Sequence, residues 1–226
     1  MWYVIMCGGN YEFQKPLVKI NGETLVERTI RLLKENGIED IFISSNNKGY
    51  EDFGVPILKH ANKYVHETNE GSWLDAYYPT NEPTCYLHGD VFFSPNAIKE
   101  IINADVKDDL FICTCEKAPN NTCGREPFGY KVVNQVKFRR AINELKSIEN
   151  EFIVKPFSWH LYRMLNGLPL KKNATDFTII NNIFNVEGRY LIINDYTRDI
   201  DRKDQIKELE DYLSEKHRNL ERCKRL

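Results

Sequence analysis

The chain has 226 residues, 42% of them hydrophobic and 28% charged, and a formal net charge of −2. This length buries a substantial core and suits one α/β domain. The near-neutral charge excludes a protein held to nucleic acid by a general basic surface, and no stretch reaches the ~20 apolar residues of a membrane span.

The opening apolar run, residues 1–7, lacks a basic leader and stops at Gly8-Gly9, so the chain reads as cytoplasmic. Residues 2–7 fit a short buried strand, because an apolar run closed by two glycines suits a parallel sheet. Residues 24–36 carry helical periodicity, with Leu25, Thr29, Leu32 and Leu33 on one face and Gly37 as the stop. A second strand at 40–45 completes a right-handed βαβ unit. Residues 55–58 form a short strand, and Ser72 caps a helix running to about Tyr78. The strand at 85–88 ends on Gly89-Asp90, and Ser94-Pro95 opens a helix to about Asn103. Further strands are expected near 110–115, 128–133 and 190–194, with helices near 139–148, 157–166 and 202–220. No linker or internal repeat divides this alternation, which predicts a single three-layer α/β domain over 1–226.

The six cysteines lack paired C-x₂-C spacings. Cys113 and Cys115 share one face of an apolar strand and read as small hydrophobes rather than zinc ligands.

In open α/β sheets, ligands gather at the carboxyl ends of the strands. Three polar groups map there: Gly8-Gly9-Asn10, Asp90, and the segment from Asp195 to Asp201. Lys15 follows closely on the first. Glycines admit a phosphate close to the backbone, and a lysine neutralises its charge. Two carboxylates beside them suit Mg²⁺, which takes one or two carboxylates and fills its shell with phosphate oxygens and water. The bland readings are a tight turn at Gly8-Gly9, a helix cap or turn at Asp90, and surface charge at Asp201.

The segments Val4-Ile5-Met6-Cys7-Gly8-Gly9 and Gln14-Lys15-Pro16-Leu17, with Gly22 and the helix from Thr24, resemble the N-terminal signature of GT-A-like nucleotidyltransferases. That family includes the MobA-like, sugar-phosphate and phosphocholine cytidylyltransferase types. Leu87-His88-Gly89-Asp90-Val91 is similar to its Gly-Asp metal motif. The segment from Arg198 to Ile206 is similar to the stretch supplying the second ligand, with Asp201 at the ligand position and Asp199 or Asp204 as alternatives. The resemblance implies a three-layer α/β/α, Rossmann-like fold with a mixed, mostly parallel sheet. It also implies a nucleotide-binding part over about 1–115 and an acceptor-binding part, with the second metal ligand, over about 116–226.

By the same resemblance, Cys7, Gly8, Gly9, Asn10 and Lys15 seat the nucleotide, while Gly71, Ser72 and Asp75 approach its base. Asp90 and Asp201 hold Mg²⁺, and Lys15 and Asp90 are the catalytic pair. Trp159 and Tyr162, in an aromatic group with Phe157 and His160, read as core or as a cage for a quaternary ammonium or a sugar face. His88 reads as sheet packing. In one respect the chain departs from the family: its loop between Gly9 and Lys15 carries no arginine, leaving Arg125, Lys155 and Arg198 as candidates for a second phosphate-binding cation.

The expected reaction transfers NMP, with CTP the favoured donor, to a small phosphorylated metabolite for surface polysaccharide or lipid decoration. Neither nucleic acid nor membrane is an expected partner. The charged C-terminal helix reads as a solvated face or as the contact of a homodimer. Two rivals stay open: a GT-A glycosyltransferase using a nucleotide-sugar, disfavoured by the absence of an acid at position 92, and a non-catalytic nucleotide-binding regulator.

Overall fold

The structure is a computed structural model, and it describes residues 1–8, 14–60, 72–114, 126–151, 157–170 and 190–223. The chain begins with β1 (Trp2–Met6), then a short antiparallel pair, β2 (Lys19–Ile20) and β3 (Glu23–Thr24), leading directly into α1 (Leu25–Glu35). Thr24 caps that helix: its hydroxyl accepts from Glu27 N at 3.1 Å, and the Glu27 carboxylate accepts from Thr24 N at 2.8 Å. β4 (Ile41–Ser44) and β5 (Ile57–Leu58) follow. β6 (Thr84–His88), buried along its whole length, and β7 (Val91–Phe92) lead to α2 (Pro95–Asn103), capped by Ser94 with proline in its first turn. β8 (Leu110–Thr114), β9 (Pro127–Val132), α3 (Gln135–Ser147) and α4 (Ser158–Leu165) come next. The described part closes with β10 (Tyr190–Ile193), β11 (Arg198–Asp199) and α5 (Lys203–Cys223).

Seven strands make the central sheet in the order β10-β8-β9-β6-β1-β4-β5. All neighbours run parallel except at β9, which is antiparallel to both β6 and β8. The expected mixed, mostly parallel sheet is therefore present. Alternation along β1 sends Tyr3, Ile5 and Cys7 to a layer shared with Val26 and Leu33 of α1 and Ile98 and Ile101 of α2. Val4 and Met6 point the other way, to a layer shared with Phe138 and Leu145 of α3 and Trp159 and Tyr162 of α4. Helices cover both faces, which is why the inner strands are apolar throughout instead of alternating. In the second layer Tyr86 stacks on Phe138, with ring centroids 5.6 Å apart. A smaller group (Val18, Ile20, Leu25, Phe92, Ile200 and Leu209) fastens α5 and β11 to the short β2–β3 pair.

Gly129 makes the antiparallel insertion feasible. A Cβ there would lie 2.0 Å from the Tyr86 carbonyl oxygen, and the β8–β9 register shifts beside it, between Ile112 and Cys113. Two expectations are corrected. The helix from Ser72 is only a 3-10 turn, Trp73–Ala76. The helix expected near 139 starts at Gln135, because Asn134 caps it by accepting from Lys137 N at 2.9 Å. The two-residue strands β2, β3, β7 and β11 were too short for any periodicity to reveal. Cys7, Cys85 and Cys113 are buried, and no helix among the described residues is long and apolar enough to cross a membrane.

Candidate active site

At the carboxyl end of the sheet, β6 and β1 leave side by side. Gly89 N donates to Met6 O at 3.0 Å. A Cβ on Gly89 would stand 2.7 Å from Met6 O and 2.8 Å from Cys7 Sγ, so glycine is what lets the two strand ends lie this close. The next residue, Asp90, is thereby set against the start of the β1 loop. Gly8 is tight as well, since its Cβ would lie 3.1 Å from Ala76 Cβ. Gly9, Asn10 and Gly71 lie outside the described residues, as do Arg125 and Lys155.

The segment carrying Asp201 is brought beside Asp90 from the far end of the chain. β11 pairs with β7, and Ile200 N donates to Asp90 O at 2.9 Å. Ser94 Oγ donates to Asp195 Oδ2. Asp195 Oδ1 accepts from Thr197 N at 2.8 Å, and Thr197 Oγ1 accepts from Ser94 N at 2.9 Å. Beyond them, Gln205 Oε1 accepts from the backbone N–H of Asp201 and Arg202, at 2.7 and 2.8 Å, fixing the turn into α5.

Lys15 opens the 3-10 turn Lys15–Leu17, where Pro16 presets the backbone. Its Nζ lies 2.5 Å from Asp201 Oδ1 and 3.9 Å from Asp90 Oδ2. Burial alone would lower the Lys15 pKa, but Asp90, Asp201 and Asp199 together outweigh it and raise the value, so the ammonium stays charged. The Asp201 side chain is 46% exposed against 16% for Asp90, so Asp201 is the partner freer to turn.

Glu126 and Asp199 lie behind this triad, their carboxyl groups hydrogen-bonded to each other. Burial raises both pKa values, and for Asp199 the neighbouring Glu126, Asp201 and Asp90 add to the rise. Asp199 Oδ1 is buried with no hydrogen-bond partner among the described residues. Nothing in the sequence marked Glu126, which sits in an unpatterned stretch just before β9.

The remaining candidates are placed as follows. Ser72 is buried and caps its turn, accepting from Leu74 N at 3.3 Å. The Asp75 carboxylate is ion-paired with Lys146 of α3. Asp204 is held by Arg202 at 3.1 Å and does not join the cluster. Arg198, a candidate for the missing cation, lies 3.7 Å from Glu208 of α5. Trp159 and Tyr162 are 2% and 0% exposed and pack on Phe111, with centroids 4.9 Å from it, so of their two readings the structure places them in the core. Cys7 is buried as well; burial and then the Asp90 charge push its thiol pKa well up, leaving it a neutral packing group. His88 is buried as expected but does more than pack: its Nε2 lies 3.1 Å from Ser158 Oγ, which is 2.8 Å from Tyr77 OH. That polar chain joins β6 to the first residue of α4.

A mixed, mostly parallel sheet whose strand ends collect a glycine turn, a lysine and two aspartates defines a nucleotide-handling α/β protein. Residues 4–155 match the MobA-like NTP transferase domain, and the chain belongs to that family of nucleotidyltransferases. Its fold is similar to that of 2-C-methyl-D-erythritol 4-phosphate cytidylyltransferase from Thermus thermophilus, with a TM-score of 0.57, 9% identity, and 95% of this chain and 98% of that one covered. It is similar also to 4-diphosphocytidyl-2C-methyl-D-erythritol synthase from Anaerococcus prevotii, with a TM-score of 0.55, 14% identity and coverage of 94% and 96%. At such identities the likeness is one of fold. No curated protein sequence matches the chain.

Proposed function

We propose that this nucleotidyltransferase transfers CMP from CTP to a small phosphorylated acceptor, releasing pyrophosphate, with Mg²⁺ as its metal. The observation that carries the reading is the convergence of Lys15, Asp90 and Asp201, residues far apart in the sequence, on one point at the strand ends. The preference for CTP is supported by the chain's resemblance to cytidylyltransferases.

The residues fit a magnesium ion. Two carboxylate oxygens bracket a single cation, at present the Lys15 ammonium, and Asp199 Oδ1 is an unmet acceptor behind them. Among the described residues no three His, Cys, Asp or Glu side chains are grouped as a closed metal cage. A site with two carboxylates suits an ion that takes the rest of its shell from phosphate oxygens and water. Asp90 and Asp201 would hold Mg²⁺, which neutralises phosphate charge when bound.

Lys15, released from Asp201, would meet the charge that builds on the α-phosphate as the acceptor's phosphate oxygen attacks in line. Gly8, with no side chain, would let the backbone approach the nucleotide. A phosphate monoester is already ionised near neutral pH, so the chain supplies positioning and electrostatics instead of a nucleophile or general base. Pyrophosphate release, measured with each NTP and Mg²⁺ over a panel of phosphorylated acceptors, tests the reading. CTP should turn over fastest, and Lys15→Ala should lower kcat by about 10²–10³. Absence of turnover with every pair, together with unchanged NTP binding in Asp90→Ala, would sink it.

A further inference from the structure

One polar side chain at the carboxyl end of the sheet takes no part in the Lys15–Asp90–Asp201 cluster. His60 lies two residues beyond β5, and its Cε1 and Nε2 are each 3.9 Å from the point where Gly8 would carry a Cβ. Ala76 Cβ is 3.1 Å from that same point, so the imidazole edge, Gly8 and the turn capped by Ser72 converge on one corner. Both ring nitrogens of His60 are buried, and neither has a hydrogen-bond partner among the described residues. A buried polar group without a partner is costly and is retained where something else completes it. Burial lowers the pKa of the ring, a pull that the Asp75 charge only partly opposes. The ring is therefore neutral, with one N–H donor and one lone-pair acceptor. Phosphate calls for cations and N–H donors, a need that Lys15 would serve in the reading above. The two ring nitrogens point in different directions, so a ligand engages one of them, and a heterocyclic base, which carries both donors and acceptors on its edge, can complete either.

We propose that His60 hydrogen-bonds the nucleobase of the bound NTP and sets which base the site accepts. This rests on the nucleotidyltransferase reading above. The test is equilibrium binding of CTP, UTP, ATP, GTP and inorganic triphosphate to the full chain with Mg²⁺, for wild type, His60→Phe, His60→Ala and His60→Gln. Thermal midpoints identify the variants that fold. Removing the ring's hydrogen bonds, as in His60→Phe or His60→Ala, should weaken the preferred NTP roughly tenfold and narrow the spread among bases. Affinity for triphosphate should not change. His60→Gln, which keeps a donor and an acceptor, should recover most of the loss. Wild-type base preference in all three variants would overturn the inference, as would equal losses of NTP and triphosphate. If wild type binds no NTP at all, the nucleotidyltransferase reading falls with it; if wild type discriminates and the variants do so equally, only the role of His60 falls.

Discussion

Gly89 is the residue on which the placement of Asp90 depends most directly. With Met6 O 2.7 Å and Cys7 Sγ 2.8 Å from its would-be Cβ, even alanine forces the ends of β6 and β1 apart. The shift falls on the residue that follows, Asp90, and on the Gly89 N–H bond to Met6 O. Gly89→Ala should lower kcat at least tenfold, since displacements of about 1 Å in a positioned site cost up to 10² in rate. The thermal midpoint should fall by only a few degrees; unchanged kcat would show that Asp90 does not need this approach. The motif was legible in the sequence because Gly-Asp closes an apolar strand, a local pattern. Glu126 was not, because its pairing with Asp199 joins β9 to β11 across the fold and leaves no local trace. Asp75 was legible, through the family resemblance, as a residue near the base; its pairing with Lys146 depends on where α3 packs and leaves no local trace.

At the level of elements, two helix ends show how far pattern reading reaches. The start of α1 is written locally: Thr24 and Glu27 stand three apart ahead of an apolar face, and they form the reciprocal cap that spacing predicts. Hydrogen bonds from the Thr24 backbone and hydroxyl lower the Glu27 pKa. A carboxylate with a lowered folded pKa stabilises above its unfolded value and loses that contribution as pH falls through the folded one. The stability gap between wild type and Glu27→Ala, measured by urea unfolding, should therefore hold steady at neutral pH and close at acid pH. A gap that widened on acidification would contradict the cap. The end of α2 is different. Lys131, inside β9, is only 2% exposed, although lysine is rarely fully buried. Its Nζ donates to the carbonyls of Ile101 at 2.7 Å and Ala104 at 2.8 Å, with Ile102 at 3.2 Å. Those acceptors are orphan carbonyls of the helix end, satisfied from another layer of the fold. Lys131→Met should cost about 1–3 kcal/mol in chemical denaturation, the penalty for buried acceptors left unmet, with little change in nucleotide affinity.

Over the whole molecule, the site is closed by a contact of long sequence separation: Lys15 and Asp201 are 186 residues apart. Among the described residues β11 lies outside the central sheet and pairs with β7, so the Asp201 segment depends on fastenings of its own. One of these is the Ser94–Asp195–Thr197 set, which ties the exit of β10 to the start of α2. Asp195→Ala removes both bonds made by that carboxylate. It leaves the α2 cap in place, because Ser94 Oγ still accepts from Ala97 N at 2.9 Å. The sheet should therefore fold with a small loss of midpoint, while Asp201, still held beside Asp90 by the β11–β7 pair and the Ile200 N–Asp90 O bond, is less firmly placed. A ligand that binds only the folded state raises stability by RT ln(1 + [L]/Kd), about 2.7 kcal/mol at a hundredfold excess over Kd. If Asp90 and Asp201 grip one metal–triphosphate together, the extra thermal stabilisation that Mg²⁺ adds to CTP should shrink in Asp195→Ala, while that given by CTP alone should not. Equal Mg²⁺-dependent shifts in variant and wild type would mean that the second carboxylate reaches the metal without this fastening, or does not reach it at all. Asp201→Asn separates those two cases: it removes the Mg²⁺ increment if Asp201 is a ligand and preserves it if Asp90 acts alone.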